Sequence, residues 1–236
     1  MQKEQINHRR RIIELIREAD ATHIGSALSA VDIIDAVYRI KKPGEKFILS
    51  NGHAACALYA VLESNGFITD PKIAELGIHP ERNPLIDIEV STGSLGQGLP
   101  IAVGLALADR SKNVYCSISD GESAEGSIWE AVSIASKYKL NNLKIVLNAN
   151  GYAGYEEVES EKLISRFHSF GCDVVDVDGH NINAIIEGLS VPTEIPLVVF
   201  ARTTVDQLPF LKGLAAHYYK MTDNDYKLAL KTWPKS

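Results

Sequence analysis

Short apolar runs alternate along most of the chain with stretches in which apolar residues recur at helical spacing. Five runs are typical of buried strands and cover residues 46–50, 113–120, 143–150, 173–179 and 196–203. Helical periodicity covers residues 30–38, 53–63, 96–110, 125–138 and 222–230. The alternation predicts an α/β fold with a parallel sheet flanked by helices. Because no repeat or linker interrupts it, we expect a single domain over residues 1–236.

Two details of the helical stretches yield local predictions. Ser29 suits the N-cap of the helix over 30–38, and Asp32 stands three residues later as its capping-box partner. Near the N-terminus, an amphipathic helix carries Ile12 and Leu15 beside a basic cluster at residues 8–11. We interpret that cluster as the solvated face of the helix rather than as a binding surface.

Composition and charge narrow the function classes. The formal net charge is −6 and 45% of the residues are hydrophobic, which disfavours broad nucleic-acid binding and is typical of a globular protein. No apolar run approaches the ~20 residues that cross a bilayer, and residues 1–20 lack a signal-peptide core. We therefore expect a cytoplasmic protein without nucleic-acid or membrane partners. The three scattered cysteines are expected to be buried free thiols: Cys56, Cys116 and Cys172.

Candidate chemistry begins where two predicted strands end. Asp120 closes one strand and precedes Gly121, and Asn150 closes the next and precedes Gly151. If these strands are neighbours, both side chains emerge on the edge where α/β domains bind ligands. A carboxylate and an amide oxygen suit a hard cation whose shell is completed by phosphates. Spacing alone leaves simple capping equally open. Two long loops, 67–90 and 151–160, are further places where sites are expected.

Longer motifs make the chain resemble the N-terminal half of transketolase, from near Ile12 to Leu230. The motifs that carry this resemblance are THIGSALSAVDII from Thr22, FILSNGHAACALYAVL from Phe47, HPERNP from His79, STGSLGQGL from Ser91, SDGESAEGSIWEA from Ser119, NANG from Asn148, DGHN from Asp178 and HYYKMTDNDYKLAL from His217. A DG pair followed thirty residues later by Asn is modestly specific. Combined with the other motifs in this order, the pattern is highly specific. The fold implied is the thiamine-diphosphate-binding domain of diphosphate type.

The resemblance implies a cofactor and a metal ion, thiamine diphosphate with Mg²⁺ or Ca²⁺. Asp120 and Asn150 match the metal ligands, with the carbonyl of Tyr152 as a third. The implied cofactor contacts, matched along the motifs, are His53, Gly93, Leu95, Gly121, Glu122, Asn150 and His217. Glu122 also suits a helix N-terminus through the macrodipole. The divergent segment 205–212 leaves the match of His217 open.

The catalytic roles implied fall on three residues. His23 and His79 match histidines that contact hydroxyls of the donor sugar, and Glu125 matches a glutamate that links two active sites across a dimer. Considered alone, each histidine could be an ordinary surface or capping residue. Their occurrence in separate family motifs favours the functional interpretation. We interpret His180 as an ordinary loop residue that follows a strand.

The resemblance also implies a missing half. In the family, the glutamate and aromatic pocket for the cofactor's pyrimidine belong to a second domain, which 236 residues cannot also contain. We therefore expect the partner to be a C-terminal transketolase subunit, with assembly to α₂β₂ and transfer of a two-carbon ketol unit between sugar phosphates. Ser119 replaces the first glycine of the usual GDG, and segment 205–212 lacks a common KGKG-like stretch. The second departure raises the prospect of a substrate other than a standard pentose phosphate.

Three alternatives stay open on sequence alone. The α subunit of a 2-oxo acid dehydrogenase also carries a DG…N metal site, although the GHAA and TGSLGQG motifs argue against it. A non-catalytic regulatory homologue is opposed by the retained Asp120 and Asn150. A nucleotide-binding Rossmann domain needs a GxGxxG directly after the first strand, which the chain does not place there.

Overall fold

The computed structural model describes residues 1–235, and the predicted domain's last residue, Ser236, lies outside them. The helices are α1 (Lys3–Glu18), α2 (Ile24–Ile40), α3 (Ala55–Ser64), α4 (Ile73–Leu76), α5 (Gly98–Ala108), α6 (Gly126–Lys137), α7 (Glu161–Ser169), α8 (Ile182–Leu189) and α9 (Asp223–Thr232). The strands are β1 (Lys46–Leu49), β2 (Val114–Ser119), β3 (Leu143–Ala149), β4 (Asp173–Asp178) and β5 (Leu197–Arg202). All five predicted strands are confirmed within a residue or two.

The strands form one parallel sheet in the order β1-β2-β3-β5-β4. Helices cover both faces: α1, α2, α3, α8 and α9 pack on one, and α5, α6 and α7 pack on the other. Strand β3 is buried throughout, and its alternate residues feed the two cores, Val146 on one side and Ile145 and Leu147 on the other. A strand buried on both faces has a continuous apolar run as its sequence, which is why the pattern predicted it. The predicted α/β class is confirmed.

Helix α2 corrects the predicted cap. It begins at Ile24 rather than Ala30, so Ser29 lies inside the helix and its hydroxyl donates to the carbonyl of Ser26 at 3.0 Å. A hydroxyl bonded back to the preceding turn is common inside a helix. Asp32, expected to act in the same cap, accepts from the guanidinium of Arg9 at 2.9 Å instead.

The basic cluster at the N-terminus also differs from prediction. Arg9 is 1% exposed and His8 is 5% exposed, so the prediction of a solvated face is wrong for both. Arg9 forms an ion pair with Asp32 of α2, and Arg11 pairs with Glu63 of α3. Arg9 can be buried because it has a carboxylate partner on the neighbouring helix, and the sequence pattern does not show such pairing.

Three helices were not predicted, namely α4, α7 and α8. Helix α8 follows the DGHN motif, and Asn181 caps it by accepting from the backbone N–H of Ala184 at 3.2 Å. The three cysteines are buried and free, as predicted. Among the helices of residues 1–235, none combines the length and apolarity that crossing a bilayer requires.

Candidate functional site

The carboxyl ends of β2 and β3 bring two predicted ligands together. The strands pair in parallel with Ser119 opposite Asn148, so Asp120 and Asn150 leave the sheet on the same edge. The carboxylate of Asp120 accepts hydrogen bonds from the N–H of Gly121 at 2.9 Å and the N–H of Gly151 at 2.6 Å, and from the hydroxyl of Ser160 at 2.9 Å. The predicted juxtaposition is therefore present in the fold.

Asp120 is a buried carboxylate with which no basic side chain of residues 1–235 forms an ion pair. Its exposure is 1%. Burial raises the pKa of Asp120 to about 6, although the three hydrogen bonds oppose that rise. A buried anion whose only partners are neutral donors is unfavourable unless a cation completes the site.

Two further oxygen ligands are offered by the chain that follows β3. The amide oxygen of Asn150 accepts from the N–H of Tyr152 at 2.9 Å. In the short hairpin next to it, the N–H of Ala153 donates to the carbonyl of Glu156, and the N–H of Val158 donates to the carbonyl of Gly151. The carbonyl of Tyr152 takes part in neither of these hydrogen bonds. Over residues 1–235, no group of three or more His, Cys, Asp or Glu side chains could hold a metal ion. The set is instead one carboxylate, one amide oxygen and one carbonyl, which fits a hard cation that also binds phosphate oxygens.

A cleft of about 270 Å³ opens beside this edge of the sheet. Most of the residues predicted for the site line it: His23, His53, His79, Gly93, Leu95, Gly121, Asn150, Tyr152 and His217. His23 is central, since its ring centroid lies 5.8 Å from that of His53, 6.0 Å from that of His79 and 4.9 Å from that of His217. Histidines from four separate segments thus converge on one cavity.

The backbone of His23 explains why His217 reaches the cleft. His23 precedes α2 in a left-handed conformation, with φ of 66°. Its N–H donates to the carbonyl of His217 at 3.0 Å, which ties the start of α2 to the segment before α9. His217 therefore lies in the cleft despite the divergent segment 205–212, and its contact with the cofactor stays a prediction.

Burial favours the neutral form of three of these imidazoles, those of His23, His53 and His217. Burial and the neighbouring His217 and His79 lower the pKa of His23 to about 4. Burial, with His217 and His23 nearby, lowers the pKa of His53 to about 3. Burial also lowers the pKa of His217. At neutral pH each of these rings carries one N–H donor and one acceptor nitrogen, which suits hydrogen bonding to hydroxyl groups.

The glycine-rich loop that contains Gly93 packs closely against neighbouring residues. A Cβ on Gly93, whose φ is 137°, would lie 2.9 Å from the ring of His79, and a Cβ on Gly52 would lie 2.6 Å from the N of Gly93. The loop can therefore lie against His79 only without side chains at these positions.

Glu122 lies beneath this loop and not on the cleft lining. It is fully buried, and its carboxylate accepts from the Ser50 hydroxyl at 2.5 Å and from the Gly96 N–H at 2.7 Å. Both bonds go to Oε1, and they fix the loop at the head of α5. The expected contact of Glu122 with the cofactor stays a prediction.

Glu125 is exposed at the N-cap of α6 and does not line the cleft. Several lining residues were not predicted: Ser26, Ser119, Ala153, Gly154, Tyr155 and Tyr218. The glycines and tyrosines of loop 151–160 marked that region in the sequence, whereas Tyr218 was signalled only by its place after His217.

Comparisons with known proteins agree with this architecture. Residues 1–208 match the family described as the transketolase, thiamine diphosphate binding domain. One of the subunits of the apulose-4-phosphate transketolase of Phocaeicola vulgatus is 33% identical over 95% of this chain and 90% of that protein. The 6-deoxy-6-sulfo-D-fructose transketolase subunit SqwG of a Clostridium species is 32% identical over 94% of this chain and 92% of that protein.

Solved structures give the same result for the fold. The transketolase of Campylobacter jejuni superposes with a TM-score of 0.85 at 25% identity, covering 98% of this chain and 42% of that one. The R525L variant of Pichia stipitis transketolase gives 0.86 at 26% identity, covering 99% and 41%. The chain therefore spans about two fifths of the solved transketolases that it matches.

Proposed function

This chain belongs to the transketolase family and is its thiamine-diphosphate-binding domain, and from that premise we propose that it is the N-terminal subunit of a two-chain transketolase. The reaction would move a two-carbon ketol unit from a ketose phosphate to an aldose phosphate. The observation that carries the proposal is one cleft in which four histidines lie next to the Asp120–Asn150 edge of the sheet.

The residues present fit the cofactor and its metal ion. Asp120, Asn150 and the Tyr152 carbonyl would hold Mg²⁺ or Ca²⁺, because a buried carboxylate with no basic side-chain partner and two neutral oxygens lie at one strand edge. Gly121 would lie beneath the diphosphate, and a Cβ there would come within 2.9 Å of Ala153. Thiamine diphosphate, when bound, supplies the nucleophilic carbon and the electron sink for chemistry at a ketose carbonyl.

His23 and His79 would act on the sugar, and His53 and His217 would contact the cofactor. His23, His53, His79 and His217 share the cleft, and the lowered pKa values of His23, His53 and His217 leave those three rings neutral. A neutral imidazole can donate to one hydroxyl, accept from another, and move a proton between substrate oxygens. Gly93 and Leu95 would contact the aminopyrimidine through the backbone of the loop that Glu122 holds in place.

A second chain would complete the site. Two relatives of nearly the same length are each named as one of the subunits of an apulose-4-phosphate transketolase, and this chain covers only about two fifths of the solved transketolases. We propose that the partner carries the pyrimidine-binding domain and that two such pairs form α₂β₂ in the cytoplasm. The exposed carboxylate of Glu125, at the head of α6, would then lie at the contact between the two active sites.

The test is the activity of the chain together with the polypeptide that co-purifies with it. We expect that complex to bind thiamine diphosphate in a manner that depends on Mg²⁺ and to transfer a ketol unit from xylulose 5-phosphate or fructose 6-phosphate. Oxidation of pyruvate with an electron acceptor, in place of ketol transfer, would favour a 2-oxo acid dehydrogenase instead. A complex that binds no cofactor would favour a regulatory homologue.

A further inference from the structure

One aromatic side chain at the end of the cleft has no place in the site described so far. Tyr218 lines the cleft and remains 63% exposed. Its ring centroid lies 4.5 Å from that of His217, edge to face, and 5.6 Å from that of His23. The ring therefore adjoins the two histidines that join the start of α2 to the segment before α9.

The hydroxyl of Tyr218 extends over the loop that follows β3. A Cβ built on Gly154 would lie 3.2 Å from this hydroxyl and 3.2 Å from Nε2 of His217. A side chain at Gly154 would therefore press on both side chains. Tyr218 thus lies between the His23 side of the cleft and loop 151–160.

This hydroxyl is available for a ligand. Within residues 1–235 it has no hydrogen-bond partner, while the nearby Tyr219 hydroxyl donates to Asp225 at 2.9 Å. The described lining of the cleft also contains no lysine or arginine. The polar groups that this chain offers near Tyr218 are consequently neutral donors and acceptors, which match sugar hydroxyls.

We propose that Tyr218 determines which ketose the site accepts. This inference rests on the proposed function and adds a recognition residue to it. The phenol hydroxyl hydrogen-bonds a hydroxyl on the carbon chain of the ketose phosphate. The ring forms the wall that limits the length or branching of that chain at the His23–His217 end.

The test compares Tyr218→Phe and Tyr218→Ala with the unsubstituted chain, each in complex with its partner polypeptide. The matched control is Tyr138→Phe, which removes a phenol hydroxyl from a tyrosine that is 49% exposed and outside the cleft. Dissociation constants are measured for thiamine diphosphate, and apparent ones, without an acceptor aldose, for xylulose 5-phosphate, fructose 6-phosphate and sedoheptulose 7-phosphate. The kcat/KM values for the same three ketoses are then measured with an acceptor aldose present.

We expect Tyr218→Phe to weaken ketose binding about 2- to 10-fold, as loss of one hydrogen bond predicts, with thiamine diphosphate affinity unchanged. Tyr218→Ala should shift the relative kcat/KM toward the longer ketose by about tenfold, because the wall is removed. Unchanged ketose affinity and unchanged selectivity, with cofactor binding intact, would overturn the role of Tyr218 alone. Failure of the unsubstituted complex to bind cofactor and ketose would overturn the proposed function and this role with it.

Discussion

Asp32→Ala perturbs the ionic network that fastens α1 to α2 and to the segment leading to His217. The carboxylate accepts from Arg9, from the amide of Gln5 at 3.0 Å and from His180 at 2.9 Å. The other atoms of these partners extend the network, because Arg9 Nε donates to Gln207 at 2.8 Å and the N–H of Thr204 donates to His180 at 3.0 Å.

The magnitude follows from burial and from the pKa of the carboxyl. Burial would raise the pKa of Asp32, but the hydrogen bonds from Arg9 and His180 outweigh it and lower the value from 3.8 to about 2. At about 1.4 kcal/mol per pKa unit, this shift alone corresponds to about 2–3 kcal/mol. The substitution also leaves the guanidinium of Arg9, 2% exposed, without its partner. We therefore expect a loss of about 3–5 kcal/mol in the free energy of unfolding.

Urea denaturation followed by circular dichroism measures this loss, and Glu4→Ala is its control. Glu4 also pairs with an arginine, Arg39, but its side chain is 67% exposed, so its removal should cost less than about 1 kcal/mol. Because the folded pKa of Asp32 is depressed, its contribution is complete above about pH 4 and is lost as the pH falls toward 2. Equal losses for Asp32→Ala and Glu4→Ala at pH 7 would refute the reasoning.

Three further predictions address the site. Asp120→Asn, which keeps the side-chain volume, should weaken Mg²⁺-dependent binding of thiamine diphosphate by more than about tenfold. Calorimetry that shows an unchanged affinity for the cofactor would remove Asp120 from the set of metal ligands. Gly121→Ala should lower the free energy of unfolding by about 1–3 kcal/mol, because its Cβ would meet Ala153 at 2.9 Å. Gly126→Ala should leave it unchanged, since nothing lies within 4 Å of a Cβ there. Equal stability of the two variants in urea would contradict this. The lowered pKa values of His23 and His53 predict that stability falls as the pH drops below about 6.5, where the unfolded chain takes up protons first. His53→Gln should make that fall shallower, and an unchanged slope between pH 7 and pH 4 would argue against a neutral buried His53.

The sheet and much of the site could be predicted because their signals are local. Strands β2 and β3 are continuous apolar runs, and Asp120 and Asn150 follow them directly, so the topology of neighbouring parallel strands brings both side chains to one edge. Family motifs then added the histidines. The short helices α7 and α8 were missed, since the sequence around them was interpreted only as strand ends and loops.

The remaining differences depend on tertiary contacts between distant residues. Arg9 and His8 were expected in solvent because a basic cluster on an amphipathic helix usually lies there, and burial of Arg9 depends on Asp32, on another helix. The role of Glu122 depends on Ser50 and Gly96, which approach it only in the fold. Tyr218 belongs to the cleft because the N–H of His23 binds the carbonyl of His217. None of these pairings leaves a periodic signal in the sequence.

Native mass spectrometry of the chain, purified gently from its own cells, tests the central claim most directly. The account predicts a complex with a second polypeptide, at a mass that fits two copies of each, carrying thiamine diphosphate and a divalent metal ion. A homo-oligomer without a partner or cofactor would leave the fold unchanged and would contradict the proposal that this chain is half of a working transketolase.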